Sequence, residues 1–188
     1  MNFDDEDVIY WEKNYFLDWA DFRKASEIPS KLSAYLGCCT SAIVIERTNK
    51  FVNKSKTKFK IINIKTHAVF IKEKSWQQSH VERASSAKKQ KLLKHEQGHF
   101  DLCEDRSRRL KKIVEEKVRG KKFSCKGRTV EELEKNATKA AERIIQKIRN
   151  KFNKNYILEQ KKYDKLTNHG INDRMQEQYN KRFEKLRN

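Results

Sequence analysis

The chain has 188 residues, of which 36% are hydrophobic and 37% charged, and 44 Lys and Arg against 26 Asp and Glu give it a formal net charge of +18. That length suits one domain with a real core, while the low apolar and high charged fractions disfavour a thick β-sandwich and point to long helices with solvated faces. No apolar run approaches the length of a bilayer span, and one Pro with five Gly argues against long flexible linkers.

In chain order, the acidic start Met1 to Asp7 lacks a basic-then-apolar signal sequence. Leu17 to Phe22 reads as a short strand or turn carrying two aromatic anchors. Thr40 to Arg47 is a predicted strand, Phe59 to Ile64 alternates partly, and His67 to Ile71 is a third candidate. The polar Asn49 to Lys58 between the first two reads as a hairpin loop. From about Val81 the pattern turns helical, with a helix over Ala87 to Val118. A second helix starts at Thr129, where Thr129-Val130-Glu131-Glu132 reads as a capping box. Its apolar stripe is Val130, Leu133, Ala137, Ala141, Ile144, Ile148, Phe152 and Tyr156, which fits a helix packed on the preceding one. A turn at Asn168-His169-Gly170 precedes a last short helix, Asp173 to Leu186. The expected fold is α+β over a single domain, 1–188, with a small amino-terminal sheet followed by long helices.

Four cysteines stand at 38, 39, 103 and 125 without metal-knuckle spacing, and a Cys103–Cys125 disulfide is compatible with the sequence but not implied by it. Trp19, Phe22, Phe70 and Trp76 are expected as core anchors rather than as a substrate cleft.

The most chemically specific stretch is Leu93 to Asp101, which contains His95-Glu96-Gln97-Gly98-His99. On a helix, residues four apart share a face, so two imidazoles can converge on one Zn²⁺. Glu96 can then act as general base on a metal-bound water. A catalytic zinc normally takes three protein ligands, and the motif supplies two. At about 100° per residue, with His95 at zero, His99 lies near 40°, Asp101 near −120°, Glu104 near 180° and Asp105 near −80°. None of these carboxylates shares the histidine face while the helix continues, and Asp105 could serve only if it broke after His99. Leu102 occupies the place of the helix-breaking glycine in HExxHxxGxxH, so that pattern is absent. Composition and spacing leave Glu131, Glu132, Glu134 and His169 nearly equal as the third ligand.

Trp19-Ala20-Asp21-Phe22, Ser75-Trp76, His95-Glu96-Gln97-Gly98-His99-Phe100-Asp101, and Tyr163-Asp164 with Thr167-Asn168-His169-Gly170 carry a resemblance. Together they resemble a bacterial family of predicted secreted zinc-dependent proteases, whose pattern runs W-x-D-F, S-W, H-E-Q-G-H-F-D and Y-D-x-x-T-x-H-G. The resemblance implies a zincin-like metallohydrolase, most simply a peptidase acting on peptide or protein. It implies metal ligands His95, His99 and His169 with Glu96 as the base. It also implies a secreted or periplasmic protein, an expectation that the amino terminus does not support. Tyr163 and Arg106 are candidate oxyanion helpers, although a structural role ranks higher for both, and Asp101 or Asp105 could orient a ligand imidazole.

Two other classes compete with the peptidase. Basic runs at Lys50 to Lys60, Arg106 to Lys112 and Arg119 to Lys122 could contact an anionic surface or polymer. This admits a nucleic-acid-associated protein, including a metalloprotease acting on DNA-bound proteins. The third class is a non-catalytic zinc-binding module.

Overall fold

The computed structural model describes residues 7–25, 37–78, 81 and 83–188. The fold is mixed α+β, with strands first and helices after, as the sequence predicts. The elements are β1 (Val8–Tyr10), β2 (Arg23–Ala25), β3 (Gly37–Cys38), β4 (Ser41–Phe51), β5 (Lys58–Ile71), β6 (Trp76–Gln78), α1 (Ser86–Val118), β7 (Phe123–Ser124), α2 (Val130–Thr167) and α3 (Asp173–Arg187). The chain divides into two compact units interleaved in sequence. The first holds Met1–Val44, His67–Arg106 and Leu158–Asn188; the second holds Ile45–Thr66 and Ser107–Ile157.

In the first unit, β1 lies antiparallel on the end of β5, pairing Val8 with Ile71 and Tyr10 with Val69. A second small sheet has β6 at its centre, β2 parallel on one side and β3 antiparallel on the other. Leu17 to Phe22 takes the turn rather than the strand of the two expected alternatives: Trp19–Asp21 is a single 3₁₀ turn, because the Asp18 side chain accepts from Ala20 N and the Asp21 carboxylate accepts from Asp18 N. This turn places Trp19 on Phe22, Phe22 on Phe70 and Phe70 on Phe100, with centroids 5.2, 5.1 and 6.0 Å apart. Phe22 and Phe70 are therefore buried core, as expected, while Trp19, packed on Phe22, and Trp76 are half-buried.

In the second unit, Phe59, Ile61, Ile64, Leu110, Val114, Val118, Leu133, Ala137, Ala141 and Ile145 are buried. Of the expected α2 stripe, Leu133, Ala137 and Ala141 are buried, Ile144, Ile148, Phe152 and Tyr156 are half-buried and Val130 is 45% exposed; Ile145, outside the expected stripe, is the buried isoleucine. At the helix start, Thr129 Oγ1 accepts from Glu132 N, while the Glu132 carboxylate caps Arg128 N rather than Thr129 N. The hairpin is tighter than the polar run suggests: β4 continues to Phe51, and Val52 N bonds Lys58 O across the turn.

The two strands expected at Phe59–Ile64 and His67–Ile71 are one strand, β5. Phe59 and Ile61 alternate as buried positions, Asn63 with φ 52° interrupts the alternation, Ile64 is the next buried residue, and Ala68 to Ile71 are all buried. A residue in a left-handed conformation, which Asn tolerates, interrupts the alternation of facing along the strand. That interruption makes one strand look like two in sequence. All four cysteines are free thiols, so the Cys103–Cys125 disulfide is not formed.

Candidate metal centre

His95 and His99 lie within α1 and project from one face, with their rings 4.7 Å apart and nearly perpendicular. Their Nε2 atoms are 3.2 Å apart. The carboxylate of Asp164, near the end of α2, meets both: its Oδ1 is 2.8 Å from His99 Nε2 and 3.3 Å from His95 Nε2. Donors bound to one tetrahedral zinc at about 2.0–2.1 Å would sit about 3.3–3.4 Å apart. The three atoms thus lie close to one face of such a tetrahedron. His169 stands behind them, its Nδ1 3.7 Å from Asp164 Oδ1, and His95, Asp164 and His169 each offer a donor atom within 4.8 Å of the others.

Donor direction supports the same reading. His95 Nδ1 lies 3.3 Å from both the Gln176 carboxamide oxygen and the Thr167 hydroxyl, which itself donates to Tyr163 O. His99 Nδ1 meets the carboxamide oxygen of Gln160. An oxygen acceptor at each Nδ1 favours the tautomer with the proton there and the lone pair on Nε2. Two lone pairs and a carboxylate oxygen that face one another need a cation or a proton between them. Burial by itself lowers the His99 pKa, but the hydrogen bond to Asp164, the charges of Glu96 and Asp164 and the Gln160 contact outweigh it and raise the pKa overall. Burial would raise the Asp164 pKa; its bonds to His95 and His99 hold the carboxyl well below the usual range.

The second-helix residues that build the site occupy successive turns. Gln160, Tyr163, Asp164 and Thr167 continue the spacing of the α2 stripe beyond Tyr156, with polar side chains in place of apolar ones. Asp164 was absent from the candidates considered as ligands in sequence. Extending the stripe past Tyr156 is the signal that could have found it.

Every residue of the motif has a structural reason. Glu96 is buried, and its Oε2 accepts a 2.8 Å bond from Cys39 N just beyond β3; among the described residues its other oxygen has no hydrogen bond. Thr40 N in turn donates to Ser75 Oγ, which fixes the loop that holds Glu96. Gln97 accepts from Leu17 N and donates to Asp101. A Cβ on Gly98 would lie 2.0 Å from the Tyr163 hydroxyl oxygen, so only glycine admits that ring. Tyr163 stacks on His95 at 4.7 Å and 9°, and its hydroxyl donates to His95 O while accepting from Gln176 Nε2. After α2, Asn168, His169 and Gly170 all take positive φ, and a Cβ on Gly170 would come within 2.9 Å of His95 Cβ. The turn therefore lies directly on the motif helix.

The remaining sequence candidates are committed elsewhere. Tyr163 is fully buried beneath His95, and burial raises its phenol far above the ordinary value, so its hydroxyl is a support rather than an oxyanion donor. Arg106 bonds Glu159 at 3.1 Å. Asp105 pairs with Arg182, and Asp101 accepts from Trp11 Nε1 at 2.7 Å and from Arg187, so the two glutamines orient the imidazoles instead. Glu131, Glu132 and Glu134 belong to the other unit, where Glu132 caps Arg128 N and Glu134 pairs with Lys56. The Cys38 thiol is pushed up to about 11 by burial and by the charges of Glu96 and Asp164, so it stays protonated. Comparison with protein-family models, curated proteins and solved structures gave no match. What the geometry shows is a group of His95, His99, Asp164 and His169 side chains on facing turns of two helices and the turn after them, of which His95, Asp164 and His169 could hold a metal ion.

Proposed function

We propose that this chain is a zinc-dependent hydrolase of the zincin type, most simply a peptidase, with His95, His99 and Asp164 holding the metal and Glu96 as general base. The observation that carries the reading is the convergence of two Nε2 atoms and one carboxylate oxygen at 2.8–3.3 Å. The donor set of two imidazoles and a carboxylate suits zinc. Zinc bound there would supply Lewis acidity and a coordinated water with a pKa near 7. Glu96 accepts a proton from the attacking water and returns it to the leaving amine. The amide of Cys39 holds the carboxylate in place while its second oxygen is left for that transfer. Gln160 and Gln176 keep both imidazoles in the ligating tautomer. His169 is the nearest further donor. Its entry as a ligand would close the site into a structural one, and its remaining outside would keep a position open for chemistry.

The test is metal content of the purified chain beside its Asp164→Ala, His169→Ala and Glu96→Gln variants, each then assayed on a mixed peptide substrate. The expected result is about one zinc per wild-type chain, lost in Asp164→Ala and retained in His169→Ala. Glu96→Gln should retain zinc while hydrolysis falls about 10²–10⁴-fold. Wild-type protein that takes up no zinc on reconstitution, or a Glu96→Gln variant as active as wild type, would overturn the proposal.

A further inference from the structure

The chain's positive charge is not spread over it. The second unit carries 24 Lys and Arg against 7 Asp and Glu, a net +17, while the unit that contains the cation site carries 20 against 19. Within the second unit, α2 displays Lys135, Lys139, Arg143, Lys147 and Lys151, each exposed and each four residues from the next. At 1.5 Å per residue these five span about 24 Å of helix. Like charges four apart weaken a helix, so folding alone does not favour such a ridge. None of the five meets a carboxylate among the described residues. The nearby acids are turned instead to the hairpin, Glu142 to Arg47 at 3.3 Å and Glu134 to Lys56 at 3.4 Å. The last turn of α1 adds Lys117 and the connection to α2 adds Arg119, Lys121, Lys122, Lys126 and Arg128, all exposed, with no acid between them.

We infer that the second unit is a duplex-DNA-binding surface, read through phosphates by the cation ridge of α2 and the basic α1–α2 connection. Five cations at regular spacing suit a phosphate backbone, which carries one charge per ~3.4 Å per strand. A helix about 10–12 Å across fits the ~12 Å major groove of B-form DNA, whereas the A-form groove of RNA is too narrow to admit side chains. Single strands are held by bases stacked on exposed aromatic rings. In this unit Phe59 is buried, and Phe51, Phe123, Phe152 and Tyr156 are partly covered. A membrane-surface helix would pair its cations with exposed bulky apolar side chains; the ridge has none between Lys135 and Lys151. The inference stands apart from the hydrolase reading, since it uses none of the cation-site residues.

The experiment is fluorescence anisotropy of the full chain on a short labelled duplex of mixed sequence, titrated with NaCl. Lys139→Gln/Arg143→Gln/Lys147→Gln is compared with a control triple in the other unit, Lys161→Gln/Lys165→Gln/Lys181→Gln. Circular dichroism and thermal unfolding verify the folds. A second ridge-independent triple, Lys121→Gln/Lys122→Gln/Lys126→Gln, lies outside the helices and keeps the test available if the first misfolds. The expected result is salt-steep binding, weakened at least about tenfold by either second-unit triple, with the slope of log K on log[salt] reduced by about 2–3, and left unchanged by the control. Equal weakening by the control would overturn the inference, as would absence of binding at low salt. So would tighter binding to single strands, double-stranded RNA or phosphatidylserine vesicles than to the duplex.

Discussion

Gly98 shows how one residue sets the site. In a helix interior, Gly→Ala would ordinarily stabilise by about 1 kcal/mol. Here the added methyl would meet the Tyr163 hydroxyl at 2.0 Å and ring carbon Cζ at 2.6 Å, and that ring supports His95. Gly98→Ala is therefore expected to destabilise by about 1–3 kcal/mol in urea unfolding and to weaken metal binding, and a variant at least as stable as wild type would refute this packing. Gln160 offers a cleaner probe of the metal itself. Gln160→Leu removes the acceptor at His99 Nδ1, and metal affinity measured against a competing chelator should fall about 10–100-fold.

The metal-free site also makes a prediction about pH. The raised pKa of His99 stabilises the fold below its unfolded value of 6.5, and this is lost as pH rises through the folded value. The lowered pKa of Asp164 stabilises the fold above 3.8, and this is lost only as pH falls through its folded value. Chelated protein should thus gain most from the pair between about pH 4 and 6.5 and lose it as pH rises further, through the raised His99 value. The thermal midpoint of Asp164→Asn should lack that decline; an identical pH profile for both proteins would remove the pair from the argument.

At the scale of elements, α3 is anchored through its last turn. Arg187 donates to the carbonyls of Glu12, Lys13 and Tyr15, pairs with Asp101 and lies over Trp11 and Phe16 at 4.9 and 4.2 Å. This contact holds α3 where Gln176 and Phe183 reach the site and its supporting cluster with Tyr163 and Leu102. Arg187→Ala strands the buried Asp101 carboxylate and should cost about 3–5 kcal/mol. Arg187→Lys should recover little, because an ammonium cannot reproduce the planar fork. Elements were legible in sequence wherever periodicity was unbroken, as in α1, α2 and α3. The alternation broken at Asn63 split β5 into two expected strands, whereas at Leu17 to Phe22 the sequence left strand and turn open and the Asp18 cap selects the turn.

For the molecule as a whole, the concentration of +17 in one unit implies strong self-repulsion there. Raising ionic strength from about 0.01 to 0.15 M shortens the screening length from about 30 to 8 Å. The thermal midpoint should therefore rise over that range, more for wild type than for the ridge triple. A midpoint indifferent to salt would mean that these charges already lie far enough apart. Among the described residues, no helix is long and apolar enough to cross a membrane.

What the sequence determined by itself is local. Helical periodicity puts His95 and His99 on one face, and composition makes the chain basic, because both follow from spacing and counting alone. The tertiary structure decided which carboxylate joins them. Asp164 is about 65 residues further along a charged helix, where a solvated acid and a ligand look alike until α2 is laid on α1. It also brought Gln176 and Gln160 to the two Nδ1 atoms, glutamines whose type announces no role, and decided the partition of charge between units, which linear order hides because both units are interleaved along the chain. Periodicity is a property of neighbouring residues, whereas a cation site is a property of surfaces that only folding brings together.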